Sequence, residues 1–287
     1  MNHDILTLIQ ENIHTFSKGQ KRIANFILDS YDKAAFMTAS RLGKRVGVSE
    51  STVVRFAAEL GYDGYPDMQK SLQKMIRNRL TSVQRIEVTN DRIGDQDLLS
   101  MVLQSDIEKI RMTLEELDRD SFEHAVDAIV SARKIYIIGV RSSASIATFL
   151  TFYFNLIFDN VVEVSANTAS EVFERLLRVG EEDVVIGVSF PRYSSRTVQA
   201  MSFARDRGAT TVAITDSEAS PLAPICTYTL KARSDMASFV DSLVAPLSLV
   251  NALLVAVSRK KNDDLAHTFQ TLEGIWDEYG VYEKVQE

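Results

Sequence analysis

The chain has 287 residues and a single cysteine, Cys226, so no internal disulfide can form. That scarcity suits a reducing compartment, and a cytoplasmic location is the expectation. The four histidines (His3, His14, His124 and His267) stand far apart and show no paired metal-ligand spacing, so no metal is expected. Met1-Asn2-His3-Asp4 lacks a basic segment leading into an apolar core, which argues against a secretory leader. The longest apolar stretch, Leu243 to Val257, contains Pro246, Ser248 and Asn251 and falls short of the roughly 20 residues of a membrane helix. A buried helix is expected there instead, with Val240 to Arg259 as a candidate surface for self-association. There is no Walker phosphate loop, and Gly139 lacks the further glycines of a dinucleotide fingerprint. No nucleotide cofactor is therefore expected. Internal repeats at solenoid spacing and low-complexity tracts are also missing.

The sequence that remains is ordinary for a globular protein, with 45% hydrophobic and 25% charged residues, and its length accommodates two domains. The net charge of −7 hides an asymmetry. Through Leu80 there are 12 Lys+Arg against 8 Asp+Glu; beyond it there are 20 against 31. A basic head on an acidic body hints at a polyanionic partner for the head.

Residues 1–77 read as helices only. Ile5, Leu6, Leu8, Ile9 and Ile13 recur near helical spacing, as do Ile23, Ile27 and Leu28. The polar stretch Asn78 to Asp97, with Gly94, reads as a linker, and a helix resumes to Leu117 with Leu99, Val102, Leu103, Ile107, Ile110 and Leu114 on its apolar side. Residues 78–120 are thus a linker and connecting helix. In residues 121–287 the texture changes. Lys134–Gly139, Val161–Val164, Asp183–Val188, Thr211–Thr215 and Cys226–Leu230 are short β-branched runs, mostly separated by helix-like stretches. Strands alternating with helices predict a parallel sheet covered on both faces.

In the head, Thr38 is placed to cap a helix through Arg45, with Ala39, Leu42 and Val46 on one face. Gly47 supplies a tight turn, Ser49 caps a second helix, and Gly61 ends it. Val53, Phe56, Ala57 and Leu60 fall at i, i+3, i+4 and i+7, so Ser51, Thr52, Arg55 and Glu59 face away. A second helix so placed can enter the major groove. Ser49, Ser51 and Thr52 at its start would approach base edges, Arg55 would reach a guanine or a phosphate, and Lys44 and Arg45 would meet the backbone. A hairpin that only packs would show the same local pattern. Gly43 either permits close crossing of the two helices or has no role. The run Val48-Ser-Glu-Ser-Thr-Val-Val-Arg-Phe56, with Leu60-Gly-Tyr-Asp-Gly-Tyr65 after it, resembles the N-terminal domain of RpiR-family transcription regulators. Gly43 departs from the alanine expected there. The resemblance implies a double-stranded DNA operator as partner and a homodimer or higher homo-oligomer, since each half-site needs a head.

Three loops follow predicted strands in the body, where parallel sheets usually bind ligands. Gly139-Val-Arg141-Ser142-Ser143 opens a helix, whose free N–H groups favour an anion. Ser189-Phe-Pro-Arg192-Tyr-Ser194-Ser195 is a second anion-suited set, and Thr215-Asp216-Ser217 the third loop. Serines and arginines also populate ordinary surface turns. This body resembles the SIS (sugar isomerase) domain, a flavodoxin-like parallel-sheet sandwich, with Ser143, Ser189, Ser194, Asp216 and Ser217 at matching positions. Arg141 replaces a glycine, and Phe190-Pro191-Arg192-Tyr193 replaces a serine- and glycine-rich cradle. The expected ligand is a small anionic metabolite, a sugar phosphate or sugar acid, held more by side chains than by amides. The alternatives are an isomerase-type enzyme, for which Glu171, Glu174 or His267 would have to act as base, and a protein-interaction module.

Overall fold

A computed structural model describes residues 5–76, 81–93, 97–165, 168–235 and 240–283. The chain divides into two compact units, residues 1–102 with 236–241, and residues 103–235 with 242–287.

In the first unit, α1 (Ile5–Asn12), α2 (Lys18–Asp29), α3 (Tyr31–Ala34), α4 (Ala39–Val46), α5 (Glu50–Glu59) and α6 (Tyr65–Ile76) enclose one apolar core. Ile5, Ile9, Ile23, Ile27, Leu42, Val53, Phe56, Met68 and Leu72 fill it. Helices α2, α4 and α5 start where side chains satisfy free backbone N–H groups. Ser17 and Gln20 form a reciprocal capping box on α2, and Thr38 accepts from the Arg41 N–H at 3.2 Å on α4. Tyr65 hydroxyl donates to the Met37 carbonyl at 2.6 Å and ties α6 to the loop before α4.

The segment expected to be a linker carries a further helix, α7 (Ser82–Ile93). Thr81 and Gln84 cap it reciprocally, the Gln84 N–H reaching Thr81 Oγ1 at 3.3 Å and the Thr81 N–H reaching Gln84 Oε1 at 2.9 Å. Arg85 on this helix is buried and donates to Asp241 at 2.8 Å, an ion pair that a solvated linker would not build. Gly94 lies outside the described residues.

The second unit holds α8 (Leu98–Glu116) from Leu103 onward, α9 (Arg119–Ser131), α10 (Ser142–Ile157), α11 (Ala169–Arg175), α12 (Ser195–Asp206), α13 (Val244–Lys260) and α14 (Asn262–Glu278). Among the described residues, β1 (Lys134–Gly139), β2 (Val161–Glu163), β3 (Asp183–Val188), β4 (Thr210–Thr215) and β5 (Tyr228–Lys231) form one sheet in the order β2-β1-β3-β4-β5. Every pairing is parallel, as expected from the alternation of elements. The period of two sorts the side chains to the two faces. Ile135, Ile137, Ile186, Val212 and Ile214 meet α9, α10 and α13 on one face. Tyr136, Ile138, Val185 and Ala213 meet α11 and α12 on the other.

Helix α13 is the buried helix expected from the apolar stretch Leu243 to Val257. Leu249, Val250, Leu253, Leu254 and Val257 are buried in the core shared with β1, β3, α9 and α10, so one face of the helix fills this unit's own core, while Val244 and Val255 stay exposed on the other. Among the described residues, no helix is long and apolar enough to cross a membrane, and no cluster of three or more His, Cys, Asp or Glu is placed to hold a metal.

Candidate functional site

The first candidate surface is the start of α5. Gly47, at φ 69°, turns the chain out of α4, and Ser49 accepts from the Thr52 N–H at 3.3 Å. Gly43 has a definite role in this turn. A Cβ there would stand 2.8 Å from the Val48 carbonyl oxygen, so the absence of a side chain lets the turn fold tightly over α4. Val53, Phe56, Ala57 and Leu60 are buried, which leaves Ser51 and Arg55 exposed and Thr52 half-buried on the outer face. Lys44 and Arg45 are exposed on the last turn of α4. Ser49 is exposed too, but its hydroxyl is occupied as the cap and lies 2.9 Å from Ser51 Oγ and 2.8 Å from Thr52 Oγ1. Its first task is therefore to shape the helix start. Arg55 Nε rests on the Ser51 carbonyl at 3.3 Å, a weak contact that a better acceptor would displace.

Sequence reasoning missed the contribution of α2. A Cβ at Gly19 would lie 3.5 Å from Val48 Cγ1 and 3.6 Å from Thr52 Cγ2, so the first turn of α2 abuts the start of α5. Lys18, Lys21 and Arg22 are exposed there, and the Arg22 guanidinium reaches the Gly47 turn. The signal was present as a basic cluster directly after the Ser17 cap. Glu59 turns outward as expected, and Gln20 Nε2 donates to it.

The second candidate surface is the C-terminal edge of the sheet. The chain passes from β1 to β2 on one side and then crosses to β3 on the other, so the order reverses between β1 and β3. A crevice opens at such a switch point, and ligands of open parallel sheets bind there. The first loop leaves β1 and the second leaves β3, which brings the two arginine-bearing segments to this one place. Sequence alone could not supply the strand order.

Both arginines have unusual backbones. Arg141 has φ 61° and ψ −127°, Arg192 has φ 27°, and among the described residues these are the non-glycine residues with positive φ. Each stands where a glycine or a small, flexible loop was expected, and each keeps a glycine-like conformation while adding a guanidinium. Such strain persists only where the surroundings enforce it. At Gly139 a Cβ would lie 2.5 Å from the Ser143 carbonyl oxygen, so the bare strand end lets the first turn of α10 close over it. Arg141 and Ser142 are exposed at that turn and Ser143 is buried.

In the second loop Ser189 is buried and its hydroxyl accepts from the Ser194 N–H at 3.3 Å, which closes the loop on itself. Thr215 donates to the Ser189 carbonyl at 2.8 Å and ties β4 to it. Ser194 caps α12 without a side-chain bond to it, and Ser195 is exposed. Tyr193 hydroxyl donates to Asp216 Oδ1 at 2.6 Å, and Ser217 donates to Asp216 Oδ2 at 3.3 Å. One further residue was missed. Arg233 follows β5 on the same edge; its N–H donates to Thr113 Oγ1 on α8 at 2.9 Å, and its guanidinium pairs with Glu116. Burial works against the Arg233 charge, but Glu116, with Asp235 and Asp216 beyond it, holds its proton more firmly than usual.

Residues 3–79 match the helix-turn-helix domain of the rpiR family, and residues 128–256 match the SIS domain. The transcriptional regulator HexR of Pseudomonas aeruginosa is 25% identical over 270 residues, covering 91% of either chain. The sugar isomerase domain of an RpiR transcription factor from Sphaerobacter thermophilus superposes with a TM-score of 0.59 at 29% identity, over 62% of this chain and 99% of that one. The Vibrio vulnificus NanR protein, solved with ManNAc-6P, has the same fold with a TM-score of 0.59 at 22% identity, over 96% of this chain and 98% of that one.

Proposed function

The chain belongs to the RpiR family of helix-turn-helix transcription regulators with a SIS domain, and from that premise we propose that it is a cytoplasmic, homodimeric regulator. On this reading a small anionic, carbohydrate-like metabolite modulates its hold on an operator. Ser51, Thr52 and Arg55 read base edges; Lys44 and Arg45 hold phosphates, and Ser49 sets the start of the reading helix. Arg141, Ser142, Ser143, Ser189, Arg192, Ser194 and Ser195 form the metabolite's anion site.

The observation that carries the reading is the pair of strained arginines flanking the β1/β3 switch point. Fork-shaped donors at a helix start suit a phosphate or a carboxylate. The ManNAc-6P complex of NanR supports a sugar derivative as the kind of molecule involved. We assign binding and not turnover: of the three candidate bases, Glu174 and His267 lie exposed on α11 and α14, and Glu171 is half-buried on α11. A homodimer supplies one reading helix per half-site.

Two measurements test the proposal. Gel-shift of genomic fragments is expected to yield a specific complex that weakens steeply with salt. Weak, sequence-independent binding would leave no regulator to explain. A thermal-shift screen of sugar phosphates and sugar acids is expected to find an anion that the Arg141→Ala/Arg192→Ala protein no longer answers. A shift retained by that variant would move the site elsewhere, and turnover of a phosphosugar by purified protein would replace the regulator with an enzyme.

A further inference from the structure

Helix α8 is amphipathic in the wrong sense for a helix packed on its own domain. Its polar face is turned inward. Lys109 and Thr113 are buried, Lys109 bridges to Asp106 at 3.1 Å, and Asp106 accepts from Ser242 at 2.7 Å. Thr113 and Glu116 hold Arg233. Its apolar face is turned outward: Leu103 is 54% exposed, Ile107 66%, Ile110 38% and Leu114 63%. Their spacing of four, three and four is the a/d pattern by which one helix packs along another.

We propose that this seam is the self-association face of the protein, covered by the same seam of a second copy. The idea rests on the homodimer reading above and names the surface that makes the dimer. Charge argues for a copy of the chain as the occupant. Each charged side chain from Asp106 to Glu116 is already paired within the chain: Asp106 with Lys109, Arg111 with Glu108 and Glu115, and Glu116 with Arg233. A seam flanked by neutralised pairs does not repel its own copy, whereas a charged partner would find no unmatched charge to recognise. Size agrees. Four large side chains exposed to this degree present on the order of 400 Å² of apolar surface, about half of each partner's share in a stable interface. That is the dry centre of an interface, with Arg111, Glu108 and Glu115 as its polar rim.

The test uses the full chain. Sedimentation across a concentration series compares it with the Ile107→Lys/Leu114→Lys variant. Both positions are exposed in the single chain, so the substitutions leave its own core intact, and circular dichroism checks this. The dimer dissociation constant is expected to rise at least about 100-fold. In a Cys226→Ser background, Ile107→Cys is expected to cross-link two chains on oxidation, and Glu108→Cys, on another side of the helix, is not. This second measurement stands even if the double-lysine protein misfolds. A wild type that is monomeric throughout, a lysine variant that dimerises as well as wild type, or equal cross-linking from both cysteine positions overturns the proposal. Its failure is distinguishable from failure of the regulator reading. A specific gel-shift complex from a dimer that ignores the seam sinks only the seam, and a seam dimer without operator binding sinks only the regulator.

Discussion

Replacing Arg141 by glycine and by alanine separates its two roles. The Arg141 backbone sits at φ 61° and ψ −127°, a region essentially reserved for glycine, and a non-glycine residue held there costs about 1–3 kcal/mol. Glycine removes that cost but adds unfolded-chain freedom worth about 0.4–1 kcal/mol. Arg141→Gly should therefore be more stable than wild type by about 0.5–2 kcal/mol, or a few degrees in melting temperature for a chain of this size. Arg141→Ala retains a Cβ, and so the strain, and should be no more stable than wild type. Both variants lose the guanidinium, so both should lose most of the thermal shift produced by a bound sugar phosphate or sugar acid. The assay is thermal unfolding of the three proteins with and without anion. If glycine and alanine melt together, the strain argument is wrong. If either keeps the full anion-dependent shift, Arg141 is not an anchor.

Further outcomes follow from the geometry. Arg55→Ala should cost about 1–3 kcal/mol of specific operator affinity if Arg55 reads a base, whereas Lys44→Ala should weaken all sequences alike and lower the salt slope by about one; competition gel-shifts at several salt concentrations check both. Gly43→Val drives a side chain into the Val48 carbonyl and should destabilise the head by about 1–3 kcal/mol, measured by denaturant unfolding, and an unchanged midpoint would mean the turn has room to move. Burial pushes the Tyr65 phenol up to about 12, against about 10 in an unfolded chain. The neutral form is favoured by folding, so this stabilisation is complete below pH 10 and is lost as pH rises toward 12, by up to about 3 kcal/mol; Tyr65→Phe should flatten that part of the pH–stability curve. Arg233→Gln should move operator affinities with and without effector toward each other while leaving effector affinity within a few-fold, read by gel-shift and calorimetry; an unchanged ratio would remove Arg233 from the response.

What was legible in the sequence was local. The Thr38 and Ser49 caps, the Gly47 turn and the stripe Val53-Phe56-Ala57-Leu60 are set within a few residues, and each was readable from spacing. The β-branched runs marked the strands to within about two residues, because period and propensity act along the chain. What depended on distant partners was not legible. Helix α7 looked like a linker because its fixed point, Arg85, pairs with Asp241, 156 residues away. Helices α8 and α13 show the same gap from opposite sides. Hydrophobicity records that a face will be covered but not by what: one face of α13 is covered by its own unit, whereas the seam of α8 lies open. At the site, Arg141 and Arg192 were recognisable as departures from a small-residue pattern. Their shared backbone strain and the placement of their loops at the ends of neighbouring strands came only with the fold.

The polar contacts around Arg233 suggest how occupancy of the loops could be felt beyond them. Tyr193 in the second loop donates to Asp216 in the third; Asp216 acts electrostatically on Arg233, and Arg233 holds Thr113 and Glu116 on α8. If an anion binds beside Arg192 as proposed, it changes the charge near Asp216, and through Arg233 that change would reach the helix whose outer face carries the open seam. Contiguity alone is not coupling. A ligand shifts an equilibrium only by the difference in its affinity for the two arrangements, and shifting a population from 1:99 to 99:1 takes about 5.5 kcal/mol. One charge-assisted hydrogen bond gained or lost at Arg233 is worth about 1.5–3 kcal/mol, enough for roughly a ten- to hundred-fold response per chain. Two copies joined through α8 would contribute that difference together, so a response much steeper than one chain can supply would require the two sites of a dimer to act on one shared seam.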